Sequence, residues 1–258
     1  MKLKYFVLGD IHSFHYAMMT ALNEKGFDIN DPSHHVVVCG DLFDRGPDAV
    51  KVFEFAKELA NQGRFYYVCG NHETLLNDLV TDIKKGRGIY EHHITNGTLD
   101  TVLQFTGLNY YDLRSGVTSA KEFGEKIAPL MNFIYDNVVD YVEIGDYILT
   151  HGWIPCNPNT GEVAENWRDD INGWEQARWY NGISAWHKGA RVPGKTIVCG
   201  HWHCSWGWSH LRLERKEFPK KNLVDWQKSF EPFVDDGIVA IDACTAYSGI
   251  CNCFVIEV

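Results

Sequence analysis

The chain has 258 residues, 45% hydrophobic and 14% aromatic, enough to bury a substantial core and too apolar for disorder. A formal net charge of −10 lacks the basic footprint of a general nucleic-acid binder. No stretch approaches the roughly 20 apolar residues of a membrane span, and the first apolar run ends in a charged turn before any cleavage site, so a cytoplasmic protein without membrane partners is expected.

Residues 3–9 predict a strand running into the turn Gly9-Asp10-Ile11-His12-Ser13, followed by a helix from about Tyr16 to Lys25. Residues 35–39 predict a second strand, leading into Gly40-Asp41-Leu42-Phe43-Asp44-Arg45-Gly46. Pro47 suits the first turn of a helix whose Val52, Phe53, Ala56, Leu59 and Ala60 share one face and which ends at Gly63. A third strand, 65–69, runs into Gly70-Asn71-His72-Glu73. Asp41 lies 31 positions after Asp10, and Asn71 lies 30 after Asp41, about one strand-helix-strand unit each time. Three successive turns therefore arrive at one edge of a parallel sheet, where α/β proteins keep their ligands.

Residues 73–137 are helical in pattern, and 74–140 are expected to form a helical cap inserted within a single domain spanning 1–258. A strand at 147–150 ends at His151-Gly152; a helix over about 172–188 precedes a strand at 196–199 that ends at Gly200-His201-Trp202-His203. Residues 204–236 read as loop-rich, with the basic segment 212–221 as a solvated face, before final strands at 238–241 and 251–258. Cys39, Cys69 and Cys199 each end an apolar run ahead of a glycine, and Cys251 and Cys253 alternate on one strand face, so all five read as small core residues. His34, His35, His92, His93, His187 and His210 lack a strand-end context and read as surface or satisfied residues.

Five strand-terminal turns thus offer Asp10, His12, Asp41, Asn71, His151 and His201, a mixed set suited to Mn²⁺, Fe²⁺ or Zn²⁺ and unlike an all-oxygen calcium cage. Six ligands exceed the needs of one catalytic ion with an open position. Two ions sharing a carboxylate accommodate them, with Asp41, central in sequence, as the bridge. Such a pair lowers the pKa of a bound water and clamps phosphate oxygens, which implies phosphoester hydrolysis by metal-bound hydroxide. His72 is placed to protonate the leaving oxygen, with Asp44 holding its tautomer, while Arg45 offers a planar fork to phosphate. Glu73 reads as a support for its turn. Taken singly each motif has an ordinary reading: a histidine is more often structural than a ligand, and Gly-Asn-His-Glu could be a plain helix start. The conjunction of ligand-type side chains after each apolar run carries the metal reading.

These residues resemble the phosphoprotein phosphatase branch of the calcineurin-like metallophosphoesterases. Gly9 to Ser13 is similar to Gly-Asp-x-His-Gly, Gly40 to Gly46 to Gly-Asp-x-x-Asp-Arg-Gly and Gly70 to Glu73 to Gly-Asn-His-Glu, with His151 and His201 completing the set. The resemblance implies an α/β fold, a β-sandwich flanked by helices with its site on loops at one edge. It implies Asp10, His12 and Asp41 on a first metal and Asp41, Asn71, His151 and His201 on a second, manganese foremost, with iron or zinc as alternatives. His72 with Asp44 would be the acid pair, and Arg45 and Asn71 would contact phosphate. Three positions depart from the pattern. Ser13 replaces a glycine, at small cost unless its φ is positive. Trp153 follows His151-Gly152 where eukaryotic members carry another glycine, which should change that wall of the cleft. His203 is an extra histidine, expected to ligate the first metal or to hydrogen-bond near it. Arg178 is the candidate for a second phosphate-binding arginine, or else is stacked between Trp174 and Trp179. Tyr247 is expected to line the cleft by analogy.

The leading expectation is a metal-dependent protein serine/threonine phosphatase. Its rival is a diadenosine tetraphosphate hydrolase, for which Trp153, Trp202, Trp206 and Trp208 are candidate stacking surfaces or else core. A non-catalytic metal-binding scaffold is the alternative of another class, against which the retained His72 argues, and a nuclease is weaker still.

Overall fold

In the computed structural model, which describes residues 2–115, 118–214 and 230–258, alternate residues of β1 (Lys4–Leu8) serve two cores. Tyr5 and Val7 point into one, Phe6 and Leu8 into the other. β2 (His34–Cys39) repeats the alternation, with Val37 and Cys39 on the first side and Val36 and Val38 on the second. A parallel strand buried on both faces reads as an unbroken apolar run, which is why Val36-Val37-Val38-Cys39 shows no polar alternation.

Sheet 1 has the order β10 (Cys253–Glu257), β1, β2, β3 (Phe65–Val68), β4 (Val138–Val139), parallel except for β10. Sheet 2 has the order β5 (Val142–Ile144), β6 (Tyr147–Leu149), β7 (Thr196–Cys199), β9 (Ile238–Ala240), β8 (Phe233–Asp235), with parallel central strands and antiparallel edges. The inner core of Val7, Val37, Cys39, Leu149, Val198, Val239 and Ile241 joins the two sheets face to face.

Helices cover both outer faces. On sheet 1 these include α1 (His15–Glu24), α2 (Ala49–Asn61), α3 (Asn71–Lys84), α5 (Thr98–Thr106) and α7 (Ala120–Asn137), with short α4 (Glu91–Thr95) and α6 (Tyr110–Arg114) between them. Leu76, Leu79, Val102, Ile127 and Leu130 share one core with Phe65 and Tyr67, so the helices after β3 are the packing layer of sheet 1. On sheet 2 lie α8 (Ile171–Ala177), α9 (Gly182–His187) and α10 (Cys204–Glu214), and α11 (Thr245–Ser248) precedes β10. The result is an α/β sandwich of four layers. Among the described residues no helix is long and apolar enough to cross a membrane.

Three expectations need correction. The helix over 172–188 is two short helices, because the loop carrying His151 passes through the break. A Cβ on Gly152 would lie 2.4, 2.8 and 2.9 Å from the carbonyl oxygens of Ala177, Arg178 and Tyr180, and one on Gly182 only 2.5 Å from that of Gly152. Residues 204–214 are helical rather than looped, fixed at their start where Cys204 N–H donates to the Asp242 carbonyl at 2.8 Å. His93 is neither exposed nor satisfied: its side chain is fully buried, and Nε2 stands 3.8 Å from Asp82 Oδ2, beyond hydrogen-bond length. Residues 215–221 of the basic segment, Trp226 and the side chain of His210 lie outside the described residues. Cys39, Cys69, Cys199, Cys251 and Cys253 are free and buried, as their pattern implies.

Candidate metal centre

Parallel strands deliver their carboxyl ends to one edge of each sheet, and the two edges coincide. Turns after β1, β2 and β3 meet turns after β6, β7 and β9 in a small cleft of about 90 Å³. Asp10, His12, Asp41, Arg45, Asn71, His72, His201, His203, Asp242 and Cys244 line it, with buried His151 in contact with Asn71 and Asp41.

The backbone here is bent in an unusual way. Among the described residues, the non-glycine positions with positive φ are Asp10 (50°), His12 (50°), Ser13 (61°), Asp41 (53°), Asp44 (76°), Arg45 (63°), His201 (65°) and Cys244 (53°). All eight lie on these turns. Left-handed residues other than glycine cost about 1 kcal/mol or more each and concentrate where the surroundings enforce them for function. Here the enforcement is visible: buried Glu73 accepts from the N–H groups of Asp41 (3.0 Å), Leu42 (3.0 Å) and Gly70 (2.7 Å) and from the Tyr67 hydroxyl. Glu73 thus ties the second and third turns together. Ser13, at φ 61°, occupies the conformation that favours glycine, so the substitution is not free, and its hydroxyl is buried without a hydrogen-bond partner.

The histidines are orientated so that lone pairs converge. His151 Nδ1–H donates to the Cys39 carbonyl (2.8 Å) and His12 Nδ1–H to that of Phe43 (3.1 Å), which leaves both Nε2 atoms bare. His151 Nε2 then stands 2.8 Å from Asn71 Oδ1 and 3.3 Å from Asp41 Oδ1, and His12 Nε2 3.7 Å from Asp41 Oδ2. Burial holds these rings neutral: His12 is pushed well below the usual imidazole range, His151 to about 4 and His201 to about 3, where neighbouring His151 adds to the effect. Burial, then the nearby Asp242 and Asp41, raises Asp10 well above the usual carboxylate range, and burial raises Asp242 to about 6. Acceptors crowded against acceptors and carboxylates against carboxylates fit divalent cations. Two clusters, His12–Asp41–His72 and Asp41–His151–His201, each bring three donor atoms within 4.8 Å of one another and share Asp41.

His72 has a second connection. Its Nδ1–H donates to Asp44 Oδ2 at 2.7 Å, its backbone N–H donates to Asp41 Oδ1 at 3.0 Å, and its Nε2 opens on the cleft. Burial opposes a charged ring, but Asp41 and Asp44 outweigh it and His72 is raised above its ordinary value. Asp44 is fully buried and held by the hydroxyls of Thr98 (2.9 Å) and Thr101 (2.8 Å) from α5, while its N–H donates to Thr101 Oγ1. Exposed Arg45 lays its fork across the cleft, one nitrogen 3.1 Å from His12 Nε2 and the other 3.0 Å from His72 Nε2.

Sequence positions thus map unevenly. His203 lines the cleft from its exposed side. Arg178 is outside the cleft lining, with Nη2 on Asp140 Oδ1 at 2.7 Å, and Tyr247 is 74% exposed beside Phe230. Trp153 is fully buried with its indole N–H on the Ala190 carbonyl, so it belongs to the core of sheet 2 and not to the cleft wall. Sequence reading missed Asp242, Cys244, Thr98 and Thr101. Asp242 follows the apolar run Ile238-Val239-Ala240-Ile241 as Asp10 and Asp41 follow theirs, and the same rule would have found it.

A sandwich that joins two carboxylate–histidine clusters at coincident sheet edges is the scaffold of a metallohydrolase. The profile of the calcineurin-like phosphoesterases matches residues 3–232, and the chain belongs to that family. Over 76 residues, 27% of this chain and 30% of the relative, it is 34% identical to the bis(5'-nucleosyl)-tetraphosphatase PrpE (asymmetrical) of Bacillus velezensis. Over 82 residues, 32% of this chain and 29% of the relative, it is 30% identical to the symmetrical bis(5'-nucleosyl)-tetraphosphatase of Proteus mirabilis. The matched segment therefore spans under a third of either enzyme. In fold, the cold-active protein-tyrosine phosphatase of a psychrophilic Shewanella superposes with a TM-score of 0.50 at 15% identity, over 98% of this chain and 75% of that one.

Proposed function

We propose that the cleft hydrolyses a phosphoric ester or anhydride with two divalent ions, and that the substrate is a dinucleoside tetraphosphate. The observation that supports it best is the pair of donor clusters sharing Asp41, the first of which includes His72 with its Asp44 partner. Asp10, His12 and Asp41 would hold one ion, with His203 at its open side, and Asp41, Asn71, His151 and His201 the other. Bound ions would supply a deprotonated water and charge neutralisation on phosphate oxygens.

The chain's own groups do the rest. Asp44, fixed by two threonines, holds Nδ1–H of His72 and turns Nε2 to the cleft, where a proton is delivered to the leaving oxygen. Arg45 contacts the same Nε2, and a guanidinium cannot donate to a nitrogen that already carries a proton. An incoming phosphate that draws the fork away frees Nε2 to take up a proton from solvent, which Asp41 and Asp44 favour, and that proton is then passed to the leaving oxygen, which couples binding to readiness for reaction. The exposed, planar fork matches two phosphate oxygens.

For the substrate, the two relatives named above share the tetraphosphatase name and support the dinucleotide over the phosphoserine and phosphothreonine expected first. Initial rates of Mn²⁺-reconstituted protein on diadenosine tetraphosphate and a phosphothreonine peptide, at matched concentration, decide the matter. Preference for the dinucleotide is expected; preference for the peptide returns the function to protein dephosphorylation, and no turnover of either with metal bound overturns both.

A further inference from the structure

Among the described residues, three tryptophans are exposed. Trp179, Trp202 and Trp206 are 48%, 38% and 41% exposed, whereas Trp153, Trp167, Trp174 and Trp186 are buried. Trp179 and Trp202 flank His201 nearly edge-on, with ring centroids 6.2 and 6.4 Å from its own. Trp206 lies 5.3 Å beyond Trp202, inclined to it by 66°. Beside them opens a cavity of about 400 Å³ lined by His201, Trp202, His203, Ser205, Trp206 and Ser209. His201 and His203 line the metal cleft as well, so the two spaces share a wall.

The fold fixes this face. A Cβ on Gly207 would lie 2.4 Å from the Phe233 ring, so α10 meets β8 through a glycine and approaches it closely. Buried Cys204 anchors the start of the helix. Trp202, in the bend just before α10, and Trp206, in its first turn, meet ring to ring and both line the cavity. Ser205 and Ser209 add polar atoms to an otherwise aromatic lining.

We propose that Trp202 and Trp206 form a nucleobase subsite that seats one nucleoside of a dinucleoside polyphosphate beside the metal cleft. The proposal rests on the reading of the reaction given above and adds the residues that select its substrate. A flat indole suits a flat base of any identity, because every base has a π-face. The cavity falls within the range of small-molecule sites, about 300–1,000 Å³. A shared wall at His201 and His203 sets the phosphates attached to that nucleoside at the mouth of the metal cleft. A substrate without a base gains nothing from the indoles.

The test compares kcat/KM of the Mn²⁺-loaded full chain and its Trp206→Ala and Trp206→Phe variants on diadenosine tetraphosphate and on inorganic tripolyphosphate. Trp206→Ala is expected to lose about 10- to 100-fold more on the dinucleotide than on tripolyphosphate, chiefly through KM, with Trp206→Phe recovering most of it. Equal losses on both substrates would mean that the indole only holds the fold, and overturn the subsite. Titration of chelated protein with AMP, followed by tryptophan fluorescence, separates the subsite from the reaction. Quenching in the wild type that disappears in Trp206→Ala sustains the subsite even where the dinucleotide is not hydrolysed. Turnover of the dinucleotide without such quenching removes the subsite and leaves the reaction standing.

Discussion

The two sheets contribute unequal halves of the site. On sheet 1 the turns support one another: Glu73 gathers the N–H groups of Asp41, Leu42 and Gly70, and α5 holds Asp44 through Thr98 and Thr101. On sheet 2 the turns lean across the sandwich. His151 takes its orientation from the Cys39 carbonyl, and the His201 N–H donates to both oxygens of Asp10 at 3.0 Å. The hierarchy teaches that sheet 1 is the frame and sheet 2 the closing wall. Damage on the frame should disable both clusters; damage on the wall should disable one.

Asp41 at the joint gives the sharpest break. Asp41→Asn removes a charge from both clusters and should lower turnover roughly 10³-fold or more, since bound ions contribute several kcal/mol to transition-state stabilisation. Metal analysis after Mn²⁺ loading should show both equivalents weakened, against one in His201→Ala. Full metal content in Asp41→Asn would end its role as the bridge.

His72→Asn tests the next largest effect, that of the proposed acid held by the frame. Loss of a proton donor costs about 10²- to 10⁴-fold where the leaving group is a poor one, as in a phosphothreonine peptide, and less for an aryl phosphate. A dinucleoside tetraphosphate expels a nucleotide, whose oxygen needs little protonation, so its loss should be the smaller. Equal losses across the series would reduce His72 to a metal ligand, a place its membership of the first cluster also permits.

The same hierarchy explains what was legible in the sequence. Asp10, Asp41 and Asn71 recur at intervals of 31 and 30 residues because regular strand-helix-strand units carry them, so one unit announces the next. On sheet 2 the strands are three or four residues long and the intervening helices are broken by the approach of Gly152 and Gly182. Periodicity fails there, and 204–214 passed for a loop. Arg178 fails for another reason: a motif-free arginine gives no sign of whether a phosphate or Asp140 will claim it. Exposure of Trp202 and Trp206 beside a buried Trp153 is likewise a property of packing that the list of tryptophans does not contain.

Asp242, the unpredicted carboxylate of the wall, makes the pH dependence specific. Burial raises it to about 6, while His151 and His201 stay neutral down to about 4 and about 3. Carboxylates raised in the folded state bind protons below that value and repel one another above it. Metal-free protein therefore loses the contribution of Asp242 to stability as pH rises through about 6, and cations restore it. Mn²⁺ affinity should fall as pH drops through about 6, well before either histidine titrates. Asp242→Asn should weaken binding by about 10-fold and flatten this step, on the scale of supporting residues around metals. A step that persists unchanged in the variant would show that Asp242 does not set it.

Ser13→Gly should give the smallest change, and the one of opposite sign. Ser13 sits on the frame at φ 61°, with an unpartnered buried hydroxyl, its N–H on the Leu42 carbonyl (2.9 Å) and its own carbonyl accepting from Asp48 N–H (3.1 Å). Glycine keeps both backbone bonds and removes the left-handed strain and the desolvated hydroxyl, against a larger loss of chain entropy on folding. The balance favours glycine by about 1 kcal/mol, a rise in melting temperature of about 2–4 °C for a chain of this size. An unchanged melting temperature would show that the close approach of Gly46, where a Cβ would lie 2.3 Å from the His12 carbonyl, dictates this turn so firmly that the residue at 13 adds no strain of its own. The frame would then owe its shape to Gly46 rather than to the side chains that replace glycines around it.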